Sequence, residues 1–142
     1  MKLFLPAFLI FVAATLTAQT TSKLPKITLI EGGLSLKYNI GDERKSKSEV
    51  KNHLRKNENA TGEASALWKK ADAQNGASTA WMVAMIAGGA LLVTGILKEN
   101  NPAIYGGGGI AAAGAIFSLS YGSNSNKNYR KSVAAYNKAA GY

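Results

Sequence analysis

The sequence contains no cysteine. Disulfides, thiolate nucleophiles and cysteine-ligated metal sites are therefore excluded together, as is lipid attachment through an N-terminal cysteine. It has one histidine, His53, and only eight Asp and Glu against 17 Lys and Arg, a net charge of +9. A lone histidine without a carboxylate cluster makes neither a metal site nor a convincing general base. The runs 80–97 and 103–121 contain no Asp, Glu, Lys, Arg or His. No Gly-Lys-Ser/Thr follows the glycines of 106–109, so there is no phosphate loop. Gly107-Gly108-Gly109-Ile110-Ala111-Ala112 formally fits G-x-G-x-x-A, but no acidic residue follows Glu99, and nucleotide binding is not expected. No hydrolase triad can be assembled. The chain is expected not to be an enzyme and to carry no cofactor and no metal.

What is present is apolar sequence in three blocks. The 142 residues allow one small domain at most. Apolar residues gather at 3–16, 80–97 and 103–121, and the polar stretch between the first two predicts no sizeable soluble core. Met1-Lys2, the apolar Leu3–Ala14 and Thr15-Leu16-Thr17-Ala18 read as a secretory signal peptide over 1–18, removed after Ala18. Its apolar part is too short to span a bilayer comfortably. Leu16 is larger than the small residue preferred at that position before cleavage.

Residues 19–79 read as a polar, basic segment outside the cytoplasm. Two β-prone runs flank Glu31-Gly32-Gly33 and predict a β-hairpin over 26–40, ended by Gly41-Asp42. Two strands alone are marginal in water, so the ribbon needs a partner surface. A helix is expected over about 46–57, opened by the capping box Ser46 with Glu49. Val50 and Leu54 form its narrow apolar stripe, and Arg44, Lys47, Lys51 and Arg55 fall along the other side. That side is either a solvated face or a contact for anionic lipid or an acidic partner; no nucleic acid is expected as a partner. A second helix is expected over about 62–75, with Ala64, Leu67, Trp68 and Ala71 on one face, and Asn75-Gly76 predicts a break after it.

Residues 80–121 predict a transmembrane hairpin. Ala80–Leu97, at ~1.5 Å per residue, gives a helix of roughly 27 Å, enough for the hydrocarbon core. Ala103–Tyr121 gives a second. Between them, Lys98 suits a helix C-terminus, Asn101 an N-cap and Pro102 a first turn. Trp81 and Tyr121 are expected as interface anchors on one side and Tyr105 on the other. Small residues let helix backbones approach closely in lipid. Gly88, Gly107, Ala111, Gly114 and Ala115 are the expected packing positions, within two parallel rows: Ala103, Gly107, Ala111, Ala115 and Gly106, Gly114, Ser118, Gly122. The same residues would serve a homo-oligomer.

Residues 122–142 predict an amphipathic C-terminal helix. Ser123-Asn124-Ser125 offers capping chemistry. Tyr129, Val133, Tyr136 and Ala140 share one arc, opposite Lys127, Lys131 and Lys138, for packing on the membrane surface or on the polar segment. The expected fold class is thus mainly α and membrane-bound: a two-helix hairpin with a short β-hairpin, basic amphipathic helices and an amphipathic tail. A signal peptide followed by two crossings puts both mature termini in the periplasm, most simply at the inner membrane. The positive-inside rule opposes this through Lys127, Arg130, Lys131 and Lys138; the signal is given precedence.

The layout of signal, strand pair ending near Gly41, Lys69-Lys70-Ala71, glycine-rich hairpin and Ala135-Tyr136-Asn137 tail resembles a loose group of small Gram-negative envelope proteins. It is also similar to glycine-zipper membrane proteins in general. The glycine-rich hairpin is shared with rotary-ATPase c-type subunits, but the absence of an ionisable group at membrane depth argues against that function. The resemblance implies an envelope location and no activity. A structural or adaptor role in the bacterial envelope is expected, with lipid and another envelope protein as partners. An oligomeric pore or membrane-perturbing protein is the alternative.

Overall fold

The computed structural model describes residues 23–32 and 35–142. The expected signal segment 1–18 and the turn residues Gly33 and Leu34 lie outside them. Three antiparallel strands, β1 (Ile27–Gly32), β2 (Ser35–Ile40) and β3 (Glu43–Lys45), form a meander in that order. Three helices follow: α1 (Lys47–Lys56), α2 (Glu58–Leu97) and α3 (Asn101–Ala139).

Gly41-Asp42 does not end the ribbon as the sequence predicts. It is a second hairpin turn, which sets Ile40 opposite Glu43. Gly41 has φ +60°, a conformation that glycine adopts without a Cβ penalty. β3 then runs directly into α1. Ser46 caps that helix: its Oγ accepts from the Glu49 N–H, and the Glu49 carboxylate accepts from the Ser46 N–H.

The helical boundaries need correction. The expected helix 62–75 and the expected span 80–97 are one helix, kinked only at Thr61 (φ −132°, ψ 33°). There is no break at Asn75-Gly76. The expected span 103–121 and the C-terminal tail are likewise one helix. Ser123-Asn124-Ser125 does not cap; Ser125 Oγ instead donates to the Ala71 carbonyl at 2.8 Å. In the loop, the N-cap of α3 is Asn100 rather than Asn101, its side chain accepting from the Ala103 N–H at 3.4 Å.

Contact between the long helices overrides these local signals. α2 and α3 are antiparallel and meet through small residues along nearly their whole length. Ser132, Ser125 and Ser78 send hydroxyl hydrogen bonds to the carbonyls of Ala64, Ala71 and Ser118, at 2.6, 2.8 and 2.7 Å. Further along, a Cβ added at Gly114 would stand 2.7 Å from Met85 N, one at Gly88 2.6 Å from Ala111 N, and one at Gly95 2.7 Å from Ile104 N. The contact residues recur at sevens: Ala64, Ala71 and Ser78, then Gly88 and Gly95, on α2; Gly107 and Gly114, then Ser118, Ser125 and Ser132, on α3. A seven-residue period keeps one seam facing the partner helix over many turns.

The two ends of this pair differ. At one end Ile27, Tyr38, Val50, Leu54, Trp68, Tyr129, Val133 and Tyr136 close a buried core. The chain thus has the compact head that its composition argued against. It builds the core by bringing the tail's apolar arc onto α1, α2 and the sheet, not onto a membrane surface. Asn137 ties the sheet edge to α3: its Oδ1 accepts from the Ile27 N–H (2.9 Å) and its Nδ2 donates to the Ile27 carbonyl (2.8 Å). Tyr136 OH donates to the Pro25 carbonyl at 2.9 Å. The Lys23 ammonium lies 4.2 Å from the centroid of the Tyr142 ring, so both ends of the described chain meet in the head.

At the other end, among the described residues, the helices have no cover besides each other. Only 11% and 17% of their most apolar windows is buried, and both helices are long and apolar enough to cross a membrane. Val83, Ile86, Ile96 and Leu97 on α2, and Ile116 and Leu119 on α3, are each more than half exposed.

Candidate functional site: a basic groove on the head

The groove begins with α1. Val50 and Leu54 are buried, which presses one face of this helix into the head and fixes where Lys47 and Lys51 project. Both reach Asp72 of α2: Lys51 Nζ lies 2.8 Å from Oδ2 and Lys47 Nζ 3.6 Å from Oδ1. From α3, Tyr129 OH donates to Asp72 Oδ1 at 2.6 Å. One carboxylate therefore ties three helices. Lys47 also sits 4.0 Å over the Tyr129 ring, and Trp68 packs between Tyr129 (4.8 Å) and Tyr38 (5.4 Å).

These contacts set the charge states. Burial pushes the Asp72 carboxyl up, but the hydrogen bonds from Lys51 and Tyr129 and the charges of Lys51 and Lys47 outweigh it, leaving it below its ordinary 3.8. Burial depresses the Lys47 ammonium more than Asp72 restores it. Burial, then the neighbouring Asp72 charge, pushes the Tyr38 phenol up to about 12. Burial and the bond to Asp72 raise Tyr129 further.

Three adjoining cavities make the groove. The middle one, about 450 Å³, is lined by Ser46, Lys47, Ser48, Lys51, Trp68 and Asp72. Through Ser46 and Lys47 it joins a cavity of about 390 Å³ that includes Lys37, Tyr38 and Arg44. Through Lys51 and Trp68 it joins a small one of about 20 Å³ that includes Arg55, Ser65 and Lys69. All four basic residues singled out in the sequence thus line one groove, but not in the same way. Lys47 and Lys51 are engaged with Asp72, Lys47 being half-buried, whereas Arg44 and Arg55 are exposed and stand away from it in the flanking cavities. Asp72 was not legible as their partner. The spacing of four between Lys47 and Lys51 marks a helix face, but nothing in it points to a carboxylate twenty-one residues beyond Lys51.

His53 serves structure. Tyr136 OH gives its hydrogen to Pro25, so its oxygen accepts from His53 Nε2 at 2.7 Å, which puts a proton on that nitrogen. Burial, then the nearby Lys56, holds this imidazole below its ordinary range. Among the described residues no group of three or more His, Cys, Asp or Glu is placed to hold a metal ion.

The expected packing residues take different parts. Gly88, Gly107 and Gly114 are buried at the helix contact, Ala111 meets Gly88 through its backbone, and the Ala115 carbonyl accepts from Ser118 Oγ at 3.2 Å. Gly95 joins them at the contact, while Gly106 opens onto free space. Trp81 and Tyr121 lie towards the head and Tyr105 at the loop end, 79% exposed. Trp81 also stacks on Phe117, with centroids 4.7 Å apart.

No family model, curated protein or solved structure matches the chain, so its function is argued from its own residues.

The Asp72 cluster predicts an acid response. The folded carboxyl titrates below its unfolded value of 3.8, so the folded state binds fewer protons. Its contribution is complete above the unfolded value and is lost as pH falls through the folded one. Exposed carboxylates lowered by partners, such as Glu58, act in the same window. The difference between wild type and Asp72→Asn isolates Asp72. Urea unfolding followed by circular dichroism should show a stability gap at neutral pH that narrows below about pH 4. A gap constant with pH would refute this account.

Proposed function

We propose that this chain is a membrane-anchored structural or adaptor protein of the bacterial envelope, in which the apolar half of the helix pair is the anchor and the head contacts another envelope component. One observation carries the reading: the most apolar stretches of α2 and α3 are only 11% and 17% buried, while the other ends close a proper core. Apolar surface of that extent requires lipid or protein cover. Lipid fits because neither 80–97 nor 103–121 contains Asp, Glu, Lys, Arg or His.

The meeting of Lys23 with Tyr142 supports both mature termini on one side, and with the signal segment that side is the periplasm, most simply at the inner membrane. After alkaline carbonate washing of bacterial membranes, the protein is expected to stay in the pellet and to leave only with detergent. Release by carbonate would sink the anchor. An enzyme reporter fused after Tyr142 is expected to work in the periplasm, and activity only in the cytoplasm would reverse the topology.

A second reading, an oligomeric pore or membrane-perturbing protein, has one observation in its favour. Gly89, Gly106 and Gly109 face open space, where another copy could approach closely. Dye leakage from liposomes at low protein-to-lipid ratio would favour it over the adaptor.

A further inference from the structure

We propose that the basic groove docks a short, extended acidic segment of a partner protein, and that it does so clear of the bilayer instead of against lipid headgroups. The inference rests on the membrane-anchored reading, which supplies the position of the bilayer surface.

Charge is the first argument. At the centre of the groove two ammonium groups, Lys47 and Lys51, share the single carboxylate of Asp72. Positive charge is left over for an incoming carboxylate. Arg44 and Arg55 stand exposed in the two flanking cavities. Among the described residues Asp72 is the one acidic residue lining the three, and the nearby Glu43, Glu49 and Glu58 are paired with Lys45 and Lys69. Guanidinium groups at both ends suit bidentate capture of carboxylates.

Length is the second argument. From Lys47 to Arg55 α1 rises roughly 12 Å. An extended chain covers that with about four residues at ~3.3 Å each.

Height decides between a peptide and lipid. Asp72 precedes Ala80 by eight residues of unbroken helix, so it stands roughly 12 Å above the apolar belt at ~1.5 Å per residue. Trp68 stands one turn higher. A headgroup layer is about 5–8 Å deep. Moreover, 73–79 on α2 and 122–126 on α3 contain no charged residue. The collar at headgroup height is Gln, Asn, Ser and Thr, not the lysines that would grip anionic lipid. At physiological salt the screening length of about 8 Å further separates the groove from the lipid charge.

The test uses the full mature protein in phosphatidylcholine nanodiscs and a fluorescein-labelled oligoglutamate peptide, read by anisotropy at about 0.15 M salt. Binding is expected for the wild type. The double reversal Arg44→Glu with Arg55→Glu should weaken it about tenfold, and the milder pair Arg44→Gln with Arg55→Gln about threefold. Reversing Lys131 and Lys138, exposed on α3 and outside the groove, should change it less than about twofold. Unchanged circular dichroism separates lost binding from lost folding. Replacing a fifth of the lipid with phosphatidylglycerol should leave binding intact. No binding by the wild type, equal losses in groove and control variants, or competition by the anionic lipid would each overturn the proposal. Carbonate extraction reads the anchor separately: a protein that stays in the membrane but ignores the peptide refutes the groove alone.

Discussion

A Gly107→Ala variant is expected to lose about 1–3 kcal/mol of stability, while Gly109→Ala, two residues further along α3, gains up to about 1 kcal/mol. The same methyl group meets opposite surroundings. At Gly107 it would collide with the backbone nitrogen of Leu92 and stand 2.7 Å from the Gly88 carbonyl oxygen and 2.9 Å from Leu92 Cα. These are main-chain atoms of the partner helix, so no rotamer change removes them and the helices must move apart. Separation strips contacts from neighbouring turns as well, because Gly88, Gly95 and Gly114 rely on the same close approach. A Cβ at Gly109 would meet nothing within 4 Å among the described residues beyond its own helix backbone, and alanine simply removes glycine's backbone freedom. Unfolding in mixed micelles with rising dodecyl sulfate, followed by circular dichroism, ranks the variants. Equal stability of Gly107→Ala and wild type would mean that the helices do not meet there.

The same glycines show what the sequence discloses and what it withholds. The uncharged runs and the Ser46–Glu49 cap are local signals that the structure contains, and the punctuated loop is there in shorter form, 98–100, with Asn100 as the cap and Asn101 and Pro102 already in α3. Contacts between distant segments are not local. Rows at four-residue spacing put Gly106 beside Gly114 and Ser118, yet Gly106 faces outward. The period that matters is seven: Gly107 to Gly114, then Ser118 to Ser125 to Ser132. That period also carries the helix through 123–125, where Ser and Asn locally favour a new start. It was visible in the sequence but masked by the abundance of small residues. Tyr129, Val133 and Tyr136 were legible as one apolar arc. Their partners Trp68, Leu54 and Ile27 lie 60 to 110 positions away, and no periodicity names them. The third strand was missed because Gly41-Asp42 terminates one strand in the same way that it turns into the next.

Trp68→Ala is expected to unfold the head and leave the hairpin intact. Trp68 is 1% exposed and holds Tyr38 of the sheet and Tyr129 of α3 in contact with α2. Truncating a buried tryptophan costs about 3–5 kcal/mol, comparable to the whole stability of a small domain. The apolar ends of α2 and α3 draw on none of these contacts, and in lipid the backbone there has no alternative to helix. Trypsin added outside sealed vesicles that hold the head outermost, so that Lys98 in the loop is across the bilayer, should therefore cut the variant quickly at the lysines and arginines of 44–56 and spare a fragment containing 80–121. Trp68→Phe supplies the control. Among the described residues the buried indole Nε1 has no hydrogen-bond partner, so phenylalanine removes volume but no bond, at a cost of about 1–2 kcal/mol, and the head should stay protected. If alanine and phenylalanine were cut equally fast, the indole would not be the keystone of the head. If the 80–121 fragment were lost with the head, the two halves of these helices would not be independent.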